Sequence, residues 1–204
     1  DHKRAKDGDQ GLNTGGMGNF SPSPFYTKEV DDFCQKYIYQ ATVDAMAAEG
    51  RPFVGIIFFG LMLTAEGPKV LEYNARFGDP EAEVILPRLE SDFVQAILDL
   101  MDNKPVELKW TDKVSHGVVL ASTNYPASST KGSLITGVDD VDGLVFHMGT
   151  KMTDEGLVTD GGRVLMVVTL EDDLQTAFDH TYAELEKIHC KDLFHRNDIG
   201  KKDM

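Results

Sequence analysis

The sequence has little of several features that mark specialised classes of protein. Only two of its 204 residues are cysteines, Cys34 and Cys190, which excludes a disulfide framework and a cysteine-based zinc site and predicts a cytoplasmic protein. No apolar run approaches the roughly 18–20 residues of a membrane-spanning helix, so we expect no membrane partner. Basic residues are also scarce, since 20 Lys and Arg stand against 34 Asp and Glu for a net charge of −14. Because this charge repels nucleic-acid phosphates, we expect no nucleic-acid partner.

The first residues lack both an initiator methionine and an apolar leader segment. The chain opens with Asp1-His2-Lys3-Arg4, inside a dense polar motif, and we therefore expect a fragment of a longer protein. At about 150 residues per domain, the length allows one large domain or two small ones. The composition, 41% hydrophobic and 26% charged, predicts a folded globular chain rather than a disordered one.

The spacing of apolar and turn-forming residues divides the chain near residue 105. Before that point we predict a loop over residues 1–25, a helix from Thr27 to about Gly50, a β-hairpin formed by 53–64 and 69–74, and a helix from Ser91 to Met101. After it we predict short strands at 115–121, 134–136, 144–148 and 163–169 and a final helix over about 174–188. The expected domains are therefore 1–105 and 106–204.

The most informative motif is the run Leu71-Glu72-Tyr73-Asn74-Ala75-Arg76-Phe77-Gly78-Asp79-Pro80-Glu81. Side chains alternate between the two faces of a strand, so Glu72, Asn74 and Arg76 are predicted to share one face. A carboxylate beside an amide carbonyl is a pair of hard oxygen donors that suits Mg²⁺, and an arginine supplies a planar donor fork for a carboxylate or phosphoryl oxygen. The alternative is an exposed polar strand face, but the concentration of acids, amide and arginine in this run favours a functional site.

A second motif is the glycine-rich run Asn13-Thr14-Gly15-Gly16-Met17-Gly18. Its three glycines would let backbone N–H groups approach an anion without obstruction by a Cβ atom. The run is neither a Walker A loop nor a dinucleotide-binding fingerprint, because no Gly-Lys-Ser/Thr follows it and no strand is predicted before it. Taken alone, it is typical of a flexible loop, and the preceding Asp1-His2-Lys3-Arg4 fits a charged surface stretch equally well.

Together, these motifs resemble those of the phosphoribosylamine–glycine ligases, also called glycinamide ribonucleotide synthetases, of the ATP-grasp superfamily. The matching segments span nearly the whole chain in order: Asp1 to Arg4, Gly8-Asp9, Asn13 to Gly18, Ser21 to Pro24, Val70 to Glu81, Pro87 to Leu89, Val119 to Ser122, Tyr125-Pro126, Gly132, Gly161 to Val164, Arg196 and Asp198 to Gly200. Three stretches depart from the family pattern: Asn124, Ala127 and His195 to Asn197.

The resemblance implies an α+β fold. It corresponds to the C-terminal part of an ATP-grasp domain, an antiparallel sheet with flanking helices, followed by a small β-rich lobe with a C-terminal helix. The family's N-terminal half, with its glycine-rich lid and adenine contacts, would precede Asp1. That missing half of the same enzyme is the expected partner of this chain.

The resemblance also implies a reaction, the ATP-dependent ligation of glycine to 5-phosphoribosylamine through glycyl phosphate, in de novo purine biosynthesis. The implied cofactor is Mg²⁺ or Mn²⁺, with ATP as co-substrate. Glu72 and Asn74 match the family's metal ligands, and Arg76 would orient the acceptor carboxylate and neutralise the acyl phosphate as the catalytic residue. The implied substrate-binding residues are Asp1, Lys3, Arg4, Asn13, Thr14, Gly15, Gly16, Met17, Gly18, Arg76, Gly78 and Asp79.

Two alternatives stand beside this interpretation. Another ATP-grasp carboxylate–amine ligase, such as a carboxylase subunit, would keep the fold and change the substrate, although the run from Arg76 to Glu81 argues against it. The second alternative is that the chain is a folded but non-catalytic fragment. Because half of a nucleotide-binding site cannot exclude water, we expect the chain alone not to catalyse the ligation.

Overall fold

The computed structural model describes every residue from Asp1 to Met204 and shows a mixed α/β chain of short elements. In chain order these are β1 (Arg4–Lys6), β2 (Gln10–Asn13), β3 (Gly18–Ser21), α1 (Lys28–Cys34), a π-helical turn (Gln35–Tyr39), α2 (Gln40–Ala48), β4 (Phe58–Thr64), β5 (Gly67–Asn74), α3 (Ala82–Ile85), α4 (Phe93–Met101), β6 (Val114–Ser122), β7 (Leu144–His147), β8 (Thr150–Thr153), β9 (Gly156–Thr159), β10 (Arg163–Glu171), α5 (Leu174–Leu185) and β11 (Leu193–Phe194). All paired strands run antiparallel. None of the helices combines the length and the apolar character that a bilayer crossing requires.

The chain folds into two compact units that do not follow the order of the sequence. The larger unit contains residues 1–21, 79–89 and 110–204, and the smaller unit contains residues 22–78 and 90–109. This grouping differs from the two consecutive segments expected from the sequence, 1–105 and 106–204. The reason is strand pairing, because β3 is hydrogen-bonded to β6, with Asn19 opposite Gly117.

The core of the larger unit is a five-stranded sheet centred on β6 and β10. The strand β7 pairs with the free edge of β10, while β3 and β11 pair with opposite ends of β6. Residues Val164 to Val168 are all fully buried, so β10 is covered on both faces. The helix α5 packs against both central strands. The predicted strands 115–121 and 163–169 and the predicted helix near 174–188 are therefore confirmed, with small shifts of their ends.

The smaller unit consists of the helical run α1 to α2, the hairpin β4–β5 and the helix α4. Thr27 caps α1 by accepting a hydrogen bond from the backbone N–H of Val30, as the sequence predicts. Asp92 caps α4 in the same way. The ring of Phe59 on β4 lies 4.6 Å from that of Tyr39 and 5.4 Å from that of Tyr73, so one face of the hairpin packs on the helical run.

Three sequence-based expectations about elements are wrong. Residues 1–25, expected to form a loop, contain β1, β2 and β3, and left-handed backbone at Gly8 and Asp9 makes the turn that joins the first two strands. Residues 134–136 form only isolated bridges rather than a strand. The strand expected from residue 53 begins at Phe58, after Gly55 in a backbone conformation with φ of 148°.

Candidate functional site

The hairpin of the smaller unit presents Glu72 and Asn74 on one face. Gly60 lies opposite Glu72, and Phe58 lies opposite Asn74. Because Glu72 and Asn74 are two residues apart in a regular strand, their side chains lie on the same face of the hairpin. The strand ends at Asn74, and the expectation that Arg76 continues it is wrong, since Arg76 follows in a bend. Its guanidinium nevertheless returns to the hairpin, with Nη2 donating to the Asn74 side-chain oxygen at 3.5 Å.

Gly60 makes room for the Glu72 side chain. A Cβ atom at Gly60 would lie 2.8 Å from Cγ of Glu72, which is closer than real Cβ contacts allow. The Glu72 side chain therefore lies across β4 at the one position of that strand without a side chain. Its carboxylate is exposed and has no hydrogen-bond or ion-pair partner within the chain, so it is free to bind a ligand.

The chemistry of this donor pair fits a hard divalent cation. Glu72 supplies carboxylate oxygens and Asn74 an amide oxygen, which are the donor types that Mg²⁺ prefers. The chain contains no group of three or more His, Cys, Asp or Glu side chains placed to hold one metal ion. The two residues can therefore supply only part of a coordination shell, as expected for an ion whose other ligands come from water and substrate phosphates.

In the larger unit, the backbone N–H groups of the glycine-rich run are already occupied. They donate as follows: Thr14 to the Lys3 carbonyl at 2.8 Å, Gly15 to the Tyr125 hydroxyl at 2.9 Å, Gly16 to the Thr14 hydroxyl at 3.0 Å, and Met17 to the His2 carbonyl at 2.9 Å. These N–H groups are not free to bind an anion. If the run contributes to substrate binding, it therefore does so through the shape of its backbone and through the side chains around it, not through these N–H groups.

The glycines of the run are needed because other groups approach the backbone closely. A Cβ atom at Gly15 would lie 2.9 Å from the guanidinium carbon of Arg163. At Gly16, whose φ is +125°, it would lie 2.5 Å from Cδ of Pro80 and 2.7 Å from a carboxylate oxygen of Asp1. The run is thus a tightly packed segment of the larger unit rather than a flexible loop.

Arg163 at the start of β10 links the glycine-rich run to Asp79. Its Nη1 donates to the carbonyl oxygens of Gly15 at 3.2 Å and Asp79 at 3.0 Å, and its Nη2 lies 2.9 Å from the Asp79 carboxylate. Neither Arg163 nor Tyr125 was among the predicted site residues. The sequence signal that could have found them is the pair of glycines before Arg163, Gly161-Gly162. In the structure a Cβ atom at Gly162 would overlap the Tyr125 ring, so the position requires glycine.

The remaining charged candidates lie on and beside β1. The Lys3 ammonium lies 2.6 Å from the Asp1 carboxylate and 4.0 Å from that of Glu81. The Arg4 guanidinium donates to the Gly11 carbonyl oxygen at 2.8 Å, within the hairpin of β1 and β2. Asn13 is exposed at the end of that hairpin, opposite Arg4.

The predicted residues thus fall into two groups, one in each unit. In the smaller unit, Glu72, Asn74 and Arg76 lie together, and Gly78 is buried. In the larger unit, the run from Gly15 to Met17 lies beside the first and the last of the predicted site residues, Asp1 and Asp79.

Comparison with known proteins relates both parts of the chain to one family. The family model described as phosphoribosylglycinamide synthetase, ATP-grasp (A) domain, matches residues 1–82. The model described as phosphoribosylglycinamide synthetase, C domain, matches residues 115–202. The phosphoribosylamine–glycine ligase of Halalkalibacterium halodurans is 50% identical over 204 residues, covering 99% of this chain and 48% of that protein. The enzyme of the same name from Streptococcus pneumoniae strain R6 is 45% identical over 205 residues, covering 99% of this chain and 49% of that protein.

The known structures agree with the sequence comparison. The crystal structure of the phosphoribosylamine–glycine ligase from Thermotoga maritima has a TM-score of 0.87 and 36% identity, covering 98% of this chain and 50% of that one. The biotin carboxylase of Campylobacter jejuni shares the fold at a TM-score of 0.55 but only 12% identity, covering 87% of this chain and 40% of that one. This chain spans about half the length of the curated relatives that it matches. The chain belongs to the phosphoribosylglycinamide synthetase family.

Proposed function

We propose that this chain is part of a ligase that uses ATP to join glycine to 5-phosphoribosylamine, giving glycinamide ribonucleotide, ADP and phosphate. The observation that supports it most directly is the uncommitted Glu72 carboxylate beside Asn74 and Arg76, in the segment that the ATP-grasp (A) domain model matches. Membership of the family supplies the substrates, since the relatives are named phosphoribosylamine–glycine ligases.

The proposed reaction has two steps. A carboxylate oxygen of glycine attacks the γ-phosphorus of ATP, the bond to the bridging oxygen breaks, and ADP leaves. The amine nitrogen of 5-phosphoribosylamine then attacks the carbonyl carbon of glycyl phosphate, the carbon–oxygen bond breaks, phosphate leaves, and the nitrogen loses a proton. Both steps depend on positioning and on charge neutralisation more than on covalent participation of the protein.

The hairpin residues have distinct roles in this proposal. Glu72 and Asn74 would hold Mg²⁺ or Mn²⁺, which when bound supplies positive charge against the phosphate oxygens. Arg76 orients the acceptor carboxylate with its planar fork and offsets the negative charge of the transferring phosphoryl group. In well-studied phosphoryl transfer enzymes a positioned arginine contributes about 10³–10⁵ in rate.

The packed surface of the larger unit would bind glycine, which accepts the phosphoryl group, and 5-phosphoribosylamine, which then attacks glycyl phosphate. Its charged members are Asp1, Lys3, Arg4 and Asp79, and the run from Asn13 to Gly18 gives it shape. In this proposal the smaller unit belongs to the C-terminal part of an ATP-grasp domain, and the larger unit combines residues 1–21 and 79–89 with the β-rich lobe. The matched relatives are about twice as long, so the rest of such an enzyme is the proposed partner.

Substitution of Glu72 tests the proposal. The assay uses this chain joined to the part of the Halalkalibacterium halodurans relative that lies outside the match, hereafter the completed enzyme. We expect ADP release that requires both glycine and freshly made 5-phosphoribosylamine. Glu72→Gln should lower kcat/KM by about 100-fold or more, since loss of mere outer-shell partners of a metal already costs about 10–100-fold.

A matched control exists on the same hairpin. Glu66 is an exposed carboxylate at the turn of β4 and β5, where it pairs with Lys69 at 3.3 Å. Glu66→Gln removes the same charge and should leave kcat/KM within about twofold, because an exposed ion pair contributes little. Equal turnover of the two variants at saturating Mg²⁺ would contradict the assignment of Glu72. ADP release that ignores glycine would contradict the proposed reaction.

A further inference from the structure

We propose that Arg163 is a positioning residue of the proposed site. Its guanidinium fixes the glycine-rich run and Asp79 relative to each other, so that the substrates meet a preset surface. The proposal rests on the proposed function for the reaction that it serves. The geometry itself does not depend on that function, because the contacts of Arg163 within the larger unit already join two segments that are far apart in sequence.

The first observation is the number and variety of the bonds. Arg163 donates to two backbone carbonyl oxygens and to one carboxylate, those of Gly15 and Asp79. Its side chain is only 18% exposed, whereas that of Asp79 is 56% exposed. The arginine is therefore held inside the fold, and the carboxylate that it orients remains accessible to a ligand.

The second observation is the shape of the glycine-rich run at Arg163. The guanidinium atoms of Arg163 lie 2.9 to 3.3 Å from where a Cβ atom of Gly15 would be. The planar group therefore lies directly against the backbone at Gly15, and only glycine at this position permits that approach. A guanidinium is suited to this place because it is flat and presents several donors in one fixed fork.

The third observation is that Tyr125 binds the other backbone polar group of the same residue, Gly15. Its hydroxyl accepts a hydrogen bond from the Gly15 N–H at 2.9 Å, while Arg163 binds the Gly15 carbonyl oxygen. Gly15 is thus fixed at both its donor and its acceptor. Such over-determined backbone is expected where a binding surface must be formed before the ligand arrives.

Arg163→Lys separates positioning from folding. Lysine keeps the positive charge but has no planar fork, so it cannot bind both carbonyl oxygens and the carboxylate at once. In the completed enzyme we expect KM for glycine or for 5-phosphoribosylamine to rise about tenfold or more. KM for ATP should change less than about twofold, because the nucleotide and its metal are assigned to Glu72 and Asn74.

Arg88→Lys is the matched control. Arg88 also makes three donor bonds within the larger unit, to the Ser21 hydroxyl and to the carbonyl oxygens of Thr111 and Lys113, at 2.8 to 3.0 Å. None of these hydrogen-bond partners is a proposed site residue. Its replacement should lower thermal stability without raising the KM of either acceptor substrate.

A second variant tests the same contact from the other side. Gly15→Ala should displace the Arg163 guanidinium and raise the same KM. The double variant Gly15→Ala with Arg163→Lys should then be no worse than the more impaired single variant, because both changes break one interaction. Multiplicative effects, or equal KM values in Arg163→Lys and Arg88→Lys, would overturn the proposal.

Amide hydrogen exchange on the 204-residue chain separates this proposal from the proposed function. Arg163→Lys should speed exchange at residues 14–17 by about tenfold or more, whereas Arg88→Lys should leave those residues unchanged. Unchanged exchange in Arg163→Lys would overturn the positioning proposal. Absence of ligation by the unsubstituted completed enzyme would overturn the proposed function instead.

Discussion

His116 is a fully buried histidine at the centre of the larger unit, on β6. Its Nε2 donates to the carbonyl oxygen of Ile199 at 2.9 Å, and its Nδ1 lies 2.9 Å from the hydroxyl of Thr181. Burial lowers the pKa of His116 from 6.5 to about 4, although the hydrogen bond to Ile199 opposes the shift. The side chain therefore stays neutral in the folded protein at pH values where an exposed histidine is protonated.

This buried imidazole predicts a loss of stability in mild acid. Between about pH 6.5 and 4 the unfolded chain binds a proton at His116 that the folded chain does not, so the free energy of unfolding falls as the pH falls. Over that window the loss reaches about 3 kcal/mol. Urea unfolding from pH 7 to 4.5 should give a slope that His116→Gln reduces by up to about 1.4 kcal/mol per pH unit. Exposed His147→Gln should retain the original slope, and an unchanged slope in His116→Gln would contradict the prediction.

At the scale of single residues, the sequence predicts the shared face of the proposed donors better than the residues that support them. The spacing of Glu72 and Asn74 predicted their shared face, and the hairpin confirms that placement. Gly60 and Arg163 were not found, because their roles depend on which residues lie opposite or against them after folding. A single sequence carries no direct record of such register.

At the scale of elements, α5 begins at a capped N-terminus. The Asp173 carboxylate accepts hydrogen bonds from the backbone N–H and the hydroxyl of Thr176, both at 2.8 Å. The backbone bond is the main reason that the pKa of Asp173 is lowered. Asp173→Ala leaves that N–H without its partner and should lower Tm by about 2–4 °C, measured by circular dichroism. Its exposed neighbour serves as the control, because Asp172→Ala removes an equal charge but no cap, and matching Tm losses would contradict the capping role.

The elements found from the sequence are those that carry their own apolar period. The helices α4 and α5 and the strands β6 and β10 have patterns long enough to be recognised locally. The strands β1 and β3 are short and lie among glycines and polar residues, so their stability comes from partners elsewhere. Gly18 lies opposite Val118, and no local signal records a pairing across that distance.

At the scale of the whole molecule, the two units differ in how well they bury their apolar residues. Among the buried apolar side chains, only Cys34 and Ile38 belong to the smaller unit. One face of α4 exposes a stripe at helical spacing, formed by Val94, Ile97, Leu98 and Met101. Exposed apolar stripes of this kind usually contact another part of a protein.

At the same scale, we predict that the 204-residue chain does not catalyse the ligation alone. The chain spans about half the length of its relatives, and its proposed metal ligands, Glu72 and Asn74, would supply only part of a coordination shell. Phosphoryl transfer requires ATP, metal and acceptor to be held in line, and loss of such positioning forfeits several kcal/mol of the barrier reduction. The measurement is ADP release by the chain and by the completed enzyme, with ATP, Mg²⁺, glycine and 5-phosphoribosylamine. Turnover by the chain within about tenfold of the completed enzyme would contradict the prediction, because positioning would then come from these residues without the remainder.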